Sequence, residues 1–245
     1  MERLAEILVE LAEAGCHNWN LVTPGPWLPF IRAAAAQARA RGVSLPFVYN
    51  TSGYERVEVA EAFHDLIDVA LVDLRYATSD VAREGSSAPD YPDQARRFLR
   101  WAWDRAGPLH VDDDGVATCG TIVRILVLPG HADEAIANLE WMADAIGTDV
   151  HLSVMSQYTP VHAAAMRPGW DRVITEAEYA VVVDAVDHLG FANGWIQEFG
   201  ACAPDDGLLG CNMQPGAGVA GAGRCAEARL FKTETTTGAT CHAAG

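Results

Sequence analysis

The sequence has 245 residues, half of them apolar, which is enough to build a substantial hydrophobic core. This excludes a chain that is disordered throughout and a small fold stapled by disulfides. The 33 acidic and 17 basic side chains give a formal net charge of -16, which repels nucleic-acid phosphates and anionic lipid surfaces. Charged residues interrupt the apolar runs, so neither a signal peptide nor a membrane-spanning segment is expected. We therefore predict a cytoplasmic protein that binds neither nucleic acid nor membranes.

Helices and short strands alternate in the first half of the chain. An amphipathic helix is predicted over residues 3–14, where apolar side chains recur at helical spacing, and Gly15 ends it. The same reasoning from periodicity and turn residues predicts strands at 18–22, 45–49 and 69–74, helices at 27–41, 57–65 and 92–106, and a polar loop at 77–92.

The second half continues this alternation. Its elements are a strand at 121–128, which is the strongest strand candidate in the chain, a helix at 132–146, a strand at 150–155, and a helix at 176–189 with Thr175 as its N-cap and Gly190 after its end. Five strands that alternate with helices predict an α/β fold with a parallel sheet. The sheet is either doubly wound or curled into a barrel.

Composition divides the chain into two parts. Residues 1–197 carry the alternating elements and form the expected folded domain. Residues 198–245 are rich in Gly, Ala and Thr and lack a sustained helical or strand period, so a weakly ordered tail is predicted. The sequence leaves open whether this tail is a disordered extension or an out-of-frame translation product.

Polar side chains cluster at the predicted carboxyl ends of the strands, where parallel α/β folds bind their ligands. They supply hydroxyls, amides, one carboxylate and two guanidiniums, a set suited to an amino-acid-like or nucleoside ligand. The candidates are Thr23, Pro24, Asn50, Ser52, Asp73, Arg75, Arg124, Gln157 and Tyr158.

Simpler interpretations of these residues remain open. Residues 50–53 also fit an ordinary turn, because Asn, Ser and Gly satisfy backbone groups locally. Arg124 lies within an apolar strand and needs an acidic partner or a ligand, since an unpaired buried charge is very costly. Asp73 could form a structural ion pair with either Arg124 or Arg75.

Common motifs for metal binding and catalysis are absent from the sequence. The six cysteines form no CxxC or CxxxCxxC pattern, and the eight histidines form no HxxxH or HxH pair. Cys16 and Cys119 are expected to be reduced, small buried residues. Residues 112–115 are expected to be a solvated turn and not a calcium loop. No GxSxG or Walker A motif occurs, and no GxGxxG turn follows a predicted strand. Lys232 is the only lysine and falls in the tail, which excludes Schiff-base chemistry.

Four segments resemble radical S-adenosylmethionine (radical SAM) proteins related to pyruvate formate-lyase activating enzyme. They are residues 15–24 (GCHNWNLVTP), 45–55 (LPFVYNTSGYE), 123–130 (VRILVLPG) and 155–160 (MSQYTP). The likeness runs in order from about residue 1 to Gln197. Several segments in register over most of the chain are a more specific signal than any single motif.

The resemblance implies a partial (β/α) barrel, with about five of six strand-helix units present, that binds S-adenosylmethionine (SAM) against a [4Fe-4S] cluster. The family cleaves SAM reductively to a 5'-deoxyadenosyl radical. Thr23 and Pro24 fall in the segment that holds the methionine amino group. Asn50 and Ser52 fall where the next strand end lines the methionine or ribose. Asp73 and Arg75 match an Asp-x-Lys strand end. Arg124 matches an arginine near the cofactor, and Gln157 and Tyr158 fall near the adenosine.

This chain departs from the family where the cluster is bound. The family's CxxxCxxC loop follows its first barrel strand, and no such pattern occurs here. The first strand of this chain corresponds to the family's second. Arg75 also replaces the usual lysine. We expect a start site chosen too far downstream or a gene fragment, in preference to an N-terminal piece supplied by another polypeptide.

The sequence thus predicts a radical SAM protein of the glycyl-radical activating type that lacks its cluster ligands and is inactive as given. SAM is the expected cofactor, and a protein substrate or a reductant is the expected partner. The alternative is a non-catalytic binding module that keeps a SAM-like pocket or a partner surface.

Overall fold

The computed structural model describes residues 2–200 and the backbone of residues 229–230. Strands alternate with helices, and most strand pairs run parallel, so the predicted α/β class is confirmed. The described residues divide into two compact units. Unit 1 comprises residues 2–123 and 149–151, and unit 2 comprises residues 124–148 and those from 152 onward.

Unit 1 contains most of the helices. Its elements are α1 (Glu2–Glu13), β1 (Trp19–Val22), α2 (Leu28–Ala40), β2 (Phe47–Thr51), α3 (Val57–Ala62), β3 (Val69–Asp73), α4 (Ser79–Ser86), α5 (Tyr91–Ala106), β4 (His110–Val111) and the first part of β5 (Ala117–Leu126). β1 pairs with β2 and β2 with β3, both parallel, while β4 pairs antiparallel with β5. Short 3₁₀ turns cover Gly25–Trp27 and His64–Leu66.

Aromatic side chains fill the core of unit 1. Trp19 is buried, its indole N–H donates to the Leu8 carbonyl at 3.0 Å, and its ring lies 4.9 Å from that of Phe47. Tyr49 and Phe98 are fully buried, with ring centroids 6.1 Å apart. Burying one such side chain stabilises a fold by about 1.5–3 kcal/mol. These contacts hold α1 and α5 against the strands that end at the candidate site.

Unit 2 contains the end of β5, α6 (Ala132–Ala145), most of β6 (His151–Met155), α7 (Glu176–Leu189), β7 (Gly194–Ile196) and β8 (Arg229–Leu230). β6 and β7 are parallel, and β7 and β8 are antiparallel. Leu139, Leu152 and Val182 are fully buried, as the apolar periodicity of these segments requires.

All five predicted strands form, displaced by at most a few residues. The prediction of a loop over residues 77–92 is wrong, because the structure has α4 there and α5 begins at Tyr91. Thr78 caps α4 by accepting the Val81 N–H at 3.4 Å, and Ser87 ends the helix with φ +55°. This helix has few apolar residues, so its period is weak in the sequence. The short strands β4, β7 and β8 were also not predicted.

Each of the two cysteines among the described residues matches one part of the prediction, that of a reduced and buried thiol. Cys16 is a free, half-buried thiol. Cys119 is buried, as predicted, but it is disulfide-bonded, so the prediction of a reduced thiol is wrong at this position. The exposed turn at residues 112–115 is confirmed, with Asp112 accepting the N–H groups of Asp114 and Val116.

Most of the predicted tail, residues 201–228 and 231–245, lies outside the described residues. Within the part of the chain that is described, no helix has both the length and the apolar character needed to cross a bilayer.

The N-terminus of α7 is held by a capping box, as the Thr175 prediction requires. Thr175 Oγ1 accepts the Glu178 N–H at 3.2 Å, and the Glu178 carboxylate accepts the Thr175 N–H at 2.7 Å. The same carboxylate accepts the Gly130 N–H and two N–H groups of Arg172 at 2.6–2.8 Å. Together these bonds hold the pKa of Glu178 far below its usual range, and the bond with Arg172 contributes most.

Glu178→Gln is expected to lower the free energy of unfolding at neutral pH by about 1–2 kcal/mol, since it weakens a cap and a charge-assisted bond. Because the folded-state pKa is depressed, this stabilisation is present above the unfolded pKa, about 4.3, and declines as pH falls below it. Urea unfolding at pH 7 and pH 3 measures both effects. Glu176→Gln, an exposed change in the same helical turn, should cost less than about 0.5 kcal/mol. An equal loss in both variants would contradict the capping role.

Candidate functional site

The carboxyl ends of β1, β2 and β3 lie at one edge of unit 1, because these strands are parallel. Val22 is in register with Asn50, and Thr51 is in register with Val72. The Thr23 N–H donates to the Asn50 carbonyl at 2.8 Å, which extends the pairing beyond β1. Six predicted site residues belong to this strand-end edge: Thr23, Pro24, Asn50, Ser52, Asp73 and Arg75.

Thr23 holds a strained backbone at this edge. Its φ is +48°, in the left-handed region that a β-branched residue rarely adopts. The side chain is exposed, so no buried packing contact accounts for the conformation. Strain of this kind costs about 1–2 kcal/mol and concentrates at functional sites. The conformation turns the chain from β1 into Pro24 and the 3₁₀ turn.

The hydroxyl of Tyr91 joins the ends of β2 and β3. Tyr91 begins α5, and its side chain is 3% exposed. Its hydroxyl lies 2.7 Å from the carbonyl oxygen of Ser52 and 2.9 Å from that of Asp73, and it accepts the Arg75 backbone N–H at 3.1 Å. Burial raises the pKa of Tyr91, so the phenol keeps its proton at neutral pH. One buried hydroxyl therefore fixes the backbone of three predicted site residues.

Close packing between the end of β2 and the end of β3 requires a glycine at position 53. Gly53 has φ +79°, and a Cβ atom there would stand 2.7 Å from the Asp73 carbonyl oxygen. The Tyr91 ring stacks on Tyr54 at 6.0 Å and meets the edge of Tyr76 at 5.1 Å. The segment predicted as either a turn or a ligand-binding strand end therefore packs directly against β3.

Asp73 and Arg75 form an ion pair at the strand-end edge, with Nη2 and Oδ2 2.8 Å apart. The pair confirms Arg75 as one of the two partners predicted for Asp73. The Asp73 side chain is 11% exposed and that of Arg75 is 40% exposed. The guanidinium therefore neutralises a largely buried carboxylate while part of it still faces solvent, where it can contact an anionic group.

Glu55 belongs to the same edge and was not predicted. The Thr51 hydroxyl donates to Glu55 Oε1 at 2.8 Å, and Oε2 lies 3.6 Å from the position of a Cβ atom on Gly25. Burial raises the pKa of Glu55. The available sequence signal was a carboxylate four residues after the last residue of a strand. Periodicity does not separate such a residue from ordinary surface acids.

A cleft of about 480 Å³ opens beside the strand-end edge. Glu55 connects the two, because it accepts from Thr51 at the end of β2 and also lines the cleft. None of the nine predicted site residues lines this cleft. Its walls are Tyr54, Glu55, Arg56, Glu58, Asp90, Gln94 and Arg97.

The other three predicted site residues lie in unit 2. Arg124 is half-buried within β5. The Gln157 amide is exposed, 3.6 Å from the Met155 sulfur, and the Tyr158 hydroxyl donates to the Trp170 carbonyl at 2.9 Å. Their assignment to a cofactor stays a prediction.

Residues 2–200 contain no group of three or more His, Cys, Asp and Glu side chains that could hold a metal ion. Comparison of the sequence with protein-family models and with curated proteins finds no match.

Tyr91→Phe is expected to lower the free energy of unfolding by about 1–3 kcal/mol, because two buried carbonyls and one N–H lose their shared partner. Tyr54→Phe removes an exposed hydroxyl that donates to Asp90 at 2.8 Å, and should cost less than about 0.5 kcal/mol. Chemical denaturation of both variants against the unaltered chain measures the difference. Equal stabilities would mean that the Tyr91 hydroxyl does not hold the strand ends.

Proposed function

We propose that unit 1 binds S-adenosylmethionine at the strand-end edge, in the manner of radical SAM proteins of the glycyl-radical activating type. One observation supports this most strongly. The Tyr91 hydroxyl fixes the backbones of Ser52, Asp73 and Arg75 side by side, so that amide, hydroxyl, carboxylate and guanidinium groups share one edge. Sites that bind small polar ligands require this kind of preorganisation.

The chemistry of these side chains complements that of SAM. The exposed part of Arg75 suits the methionine carboxylate, and Asp73 suits the positive charge of the sulfonium or ammonium group. Asn50 and Ser52, both half-buried, can hydrogen-bond to the ribose hydroxyls. The strained turn at Thr23 exposes backbone groups next to Asn50, where the resemblance places the methionine amino group.

The residues that the structure describes do not fit a [4Fe-4S] cluster. The sequence has no CxxxCxxC pattern, and residues 2–200 hold no group of metal-ligating side chains. In the family the cluster supplies the electron that cleaves SAM to a 5'-deoxyadenosyl radical. Residues in unit 1 are proposed only to bind and orient SAM. The partial (β/α) barrel, the cytoplasmic location and a protein substrate or reductant as partner belong to this same proposal.

The second candidate is a non-catalytic binding module that keeps the SAM-like pocket or a partner surface. The absence of a CxxxCxxC pattern favours it. The two candidates differ in their need for a cluster, and SAM binding by itself is compatible with both.

We expect SAM to bind this chain in isothermal titration calorimetry, and Asp73→Asn to weaken binding at least tenfold, since a charge-assisted contact contributes about 1.5–3 kcal/mol. Asp80→Asn is the matched control, because Asp80 forms an exposed ion pair with Arg83 in the same unit. Circular dichroism checks that both variants fold. No SAM binding by the unaltered chain, or equal weakening in both variants, would contradict the proposal.

Anaerobic reconstitution with iron and sulfide tests the cluster separately. We expect far fewer than four irons per chain, and no 5'-deoxyadenosine from SAM and a strong reductant. Four irons and four sulfides with formation of 5'-deoxyadenosine would show that the chain holds a cluster by other ligands. That result would contradict the conclusion that the described residues do not fit a [4Fe-4S] cluster.

A further inference from the structure

The cleft beside α5 contains a carboxylate that forms no ion pair with any residue that the structure describes. Glu55 lines this cleft and is half-buried. Its hydrogen-bonding neighbour is the hydroxyl of Thr51, 2.8 Å from Oε1. The fully buried Tyr49 hydroxyl lies against the same carboxylate but makes no hydrogen bond of ordinary geometry. Within the described part of the chain, Glu55 therefore forms no ion pair, and the groups in contact with its carboxylate are hydroxyls. A partly buried carboxylate in such surroundings gains strongly from a cation.

The two cationic side chains of the cleft pair with a different carboxylate, not with Glu55. Glu58 lies 3.6 Å from both Arg56 and Arg97, so the two cations of the cleft share one exposed carboxylate. Asp90 accepts the Tyr54 hydroxyl at 2.8 Å. The seven lining residues include three carboxylates and two guanidiniums, and both guanidiniums face Glu58. Glu55 and Asp90 are therefore the two lining carboxylates that form no ion pair with a described residue.

Tyr54 supplies an aromatic wall to the same cleft. Its side chain is 44% exposed, and its ring is held in place by stacking on Tyr91 at 6.0 Å. A fixed, exposed ring can contact an aliphatic stem and attract a cation to its face. The volume of about 480 Å³ is in the range of small-molecule sites and larger than a simple ion needs.

We propose that this cleft binds a primary ammonium group on a short aliphatic stem, with Glu55 as the carboxylate that pairs with the ammonium. Thr51 already occupies Oε1, which leaves Oε2 as the free acceptor. A single acceptor suits the point charge of an ammonium better than a planar guanidinium, which prefers two carboxylate oxygens. The ligand is a free alkylamine or the side chain of a lysine. This site adjoins the strand-end edge at Glu55 but does not depend on the SAM proposal.

Ligand-observed NMR titration of the full chain with n-butylamine at neutral pH tests the site. We expect saturable binding, with n-butanol and n-butylguanidinium binding at least tenfold more weakly. This selectivity is measured on the unaltered chain and needs no variant. N-acetyl-lysine methylamide in a parallel titration separates the two sources of the ammonium, since tighter binding than butylamine indicates a lysine side chain and weaker binding a free amine.

Two variants distinguish a specific ion pair between Glu55 and the ammonium group from a general effect of the negative charge of the cleft. Glu55→Gln keeps the size of the side chain and should weaken butylamine binding at least tenfold. Glu58→Gln removes the same charge from the same cleft and should leave binding within about twofold, because an exposed, screened charge contributes less than about 1 kcal/mol. Equal effects of the two variants, no saturable binding, or equal affinity for butylguanidinium would overturn the proposal.

Competition between SAM and butylamine tests whether the two proposed sites are distinct. If SAM displaces butylamine from the unaltered chain, the ammonium site is part of the SAM site and the separate cleft is wrong. If Asp73→Asn weakens SAM binding and leaves butylamine binding unchanged, the two sites are independent. Failure of SAM binding alone leaves the ammonium site standing.

Discussion

A single buried hydroxyl organises the polar edge of unit 1. Tyr91 reaches from the first turn of α5 to the ends of β2 and β3, where its hydroxyl meets the carbonyls of Ser52 and Asp73 and the N–H of Arg75. These backbone groups lie beyond regular strand pairing, where buried polar groups need another partner. The Tyr91 hydroxyl supplies that partner and thereby sets the spacing of the side chains that carry the proposed function. Gly53 is part of the same constraint, because any side chain there would meet the Asp73 carbonyl.

The edge places two carboxylates in different electrostatic surroundings. Asp73 is largely buried and paired with a guanidinium, while Glu55 is half-buried and bonded to a hydroxyl. A paired carboxylate is neutralised within the fold, whereas a carboxylate among neutral groups stays ready to accept a cation from outside. Asp73 therefore has a structural role at this edge, and its contact with SAM is part of the proposed function. The paired carboxylate lies at the strand-end edge, whereas Glu55 also lines the adjoining cleft.

Sequence periodicity was enough for the main strands and helices, because their apolar residues recur at regular intervals and their ends carry Gly, Thr or Pro. Thr175 and Gly190 mark the ends of α7 in the structure as they do in the sequence. The helix α4 was missed since it is polar and short, and is started by a cap at Thr78. The strands β4 and β7 were missed because two or three residues are too few to show a period.

The sequence by itself determined the α/β class, the five main strands and the placement of polar residues where those strands end. These properties depend on local propensity and hydrophobic spacing, which neighbouring residues encode directly. Only the tertiary structure decided which polar groups meet. It selected Arg75 as an ion-pair partner of Asp73, brought Tyr91 to the ends of β2 and β3, and left Glu55 beside the cleft with no ion pair among the described residues. Such contacts join residues that are distant in the chain or compete for one partner. Spacing along the sequence carries no record of them.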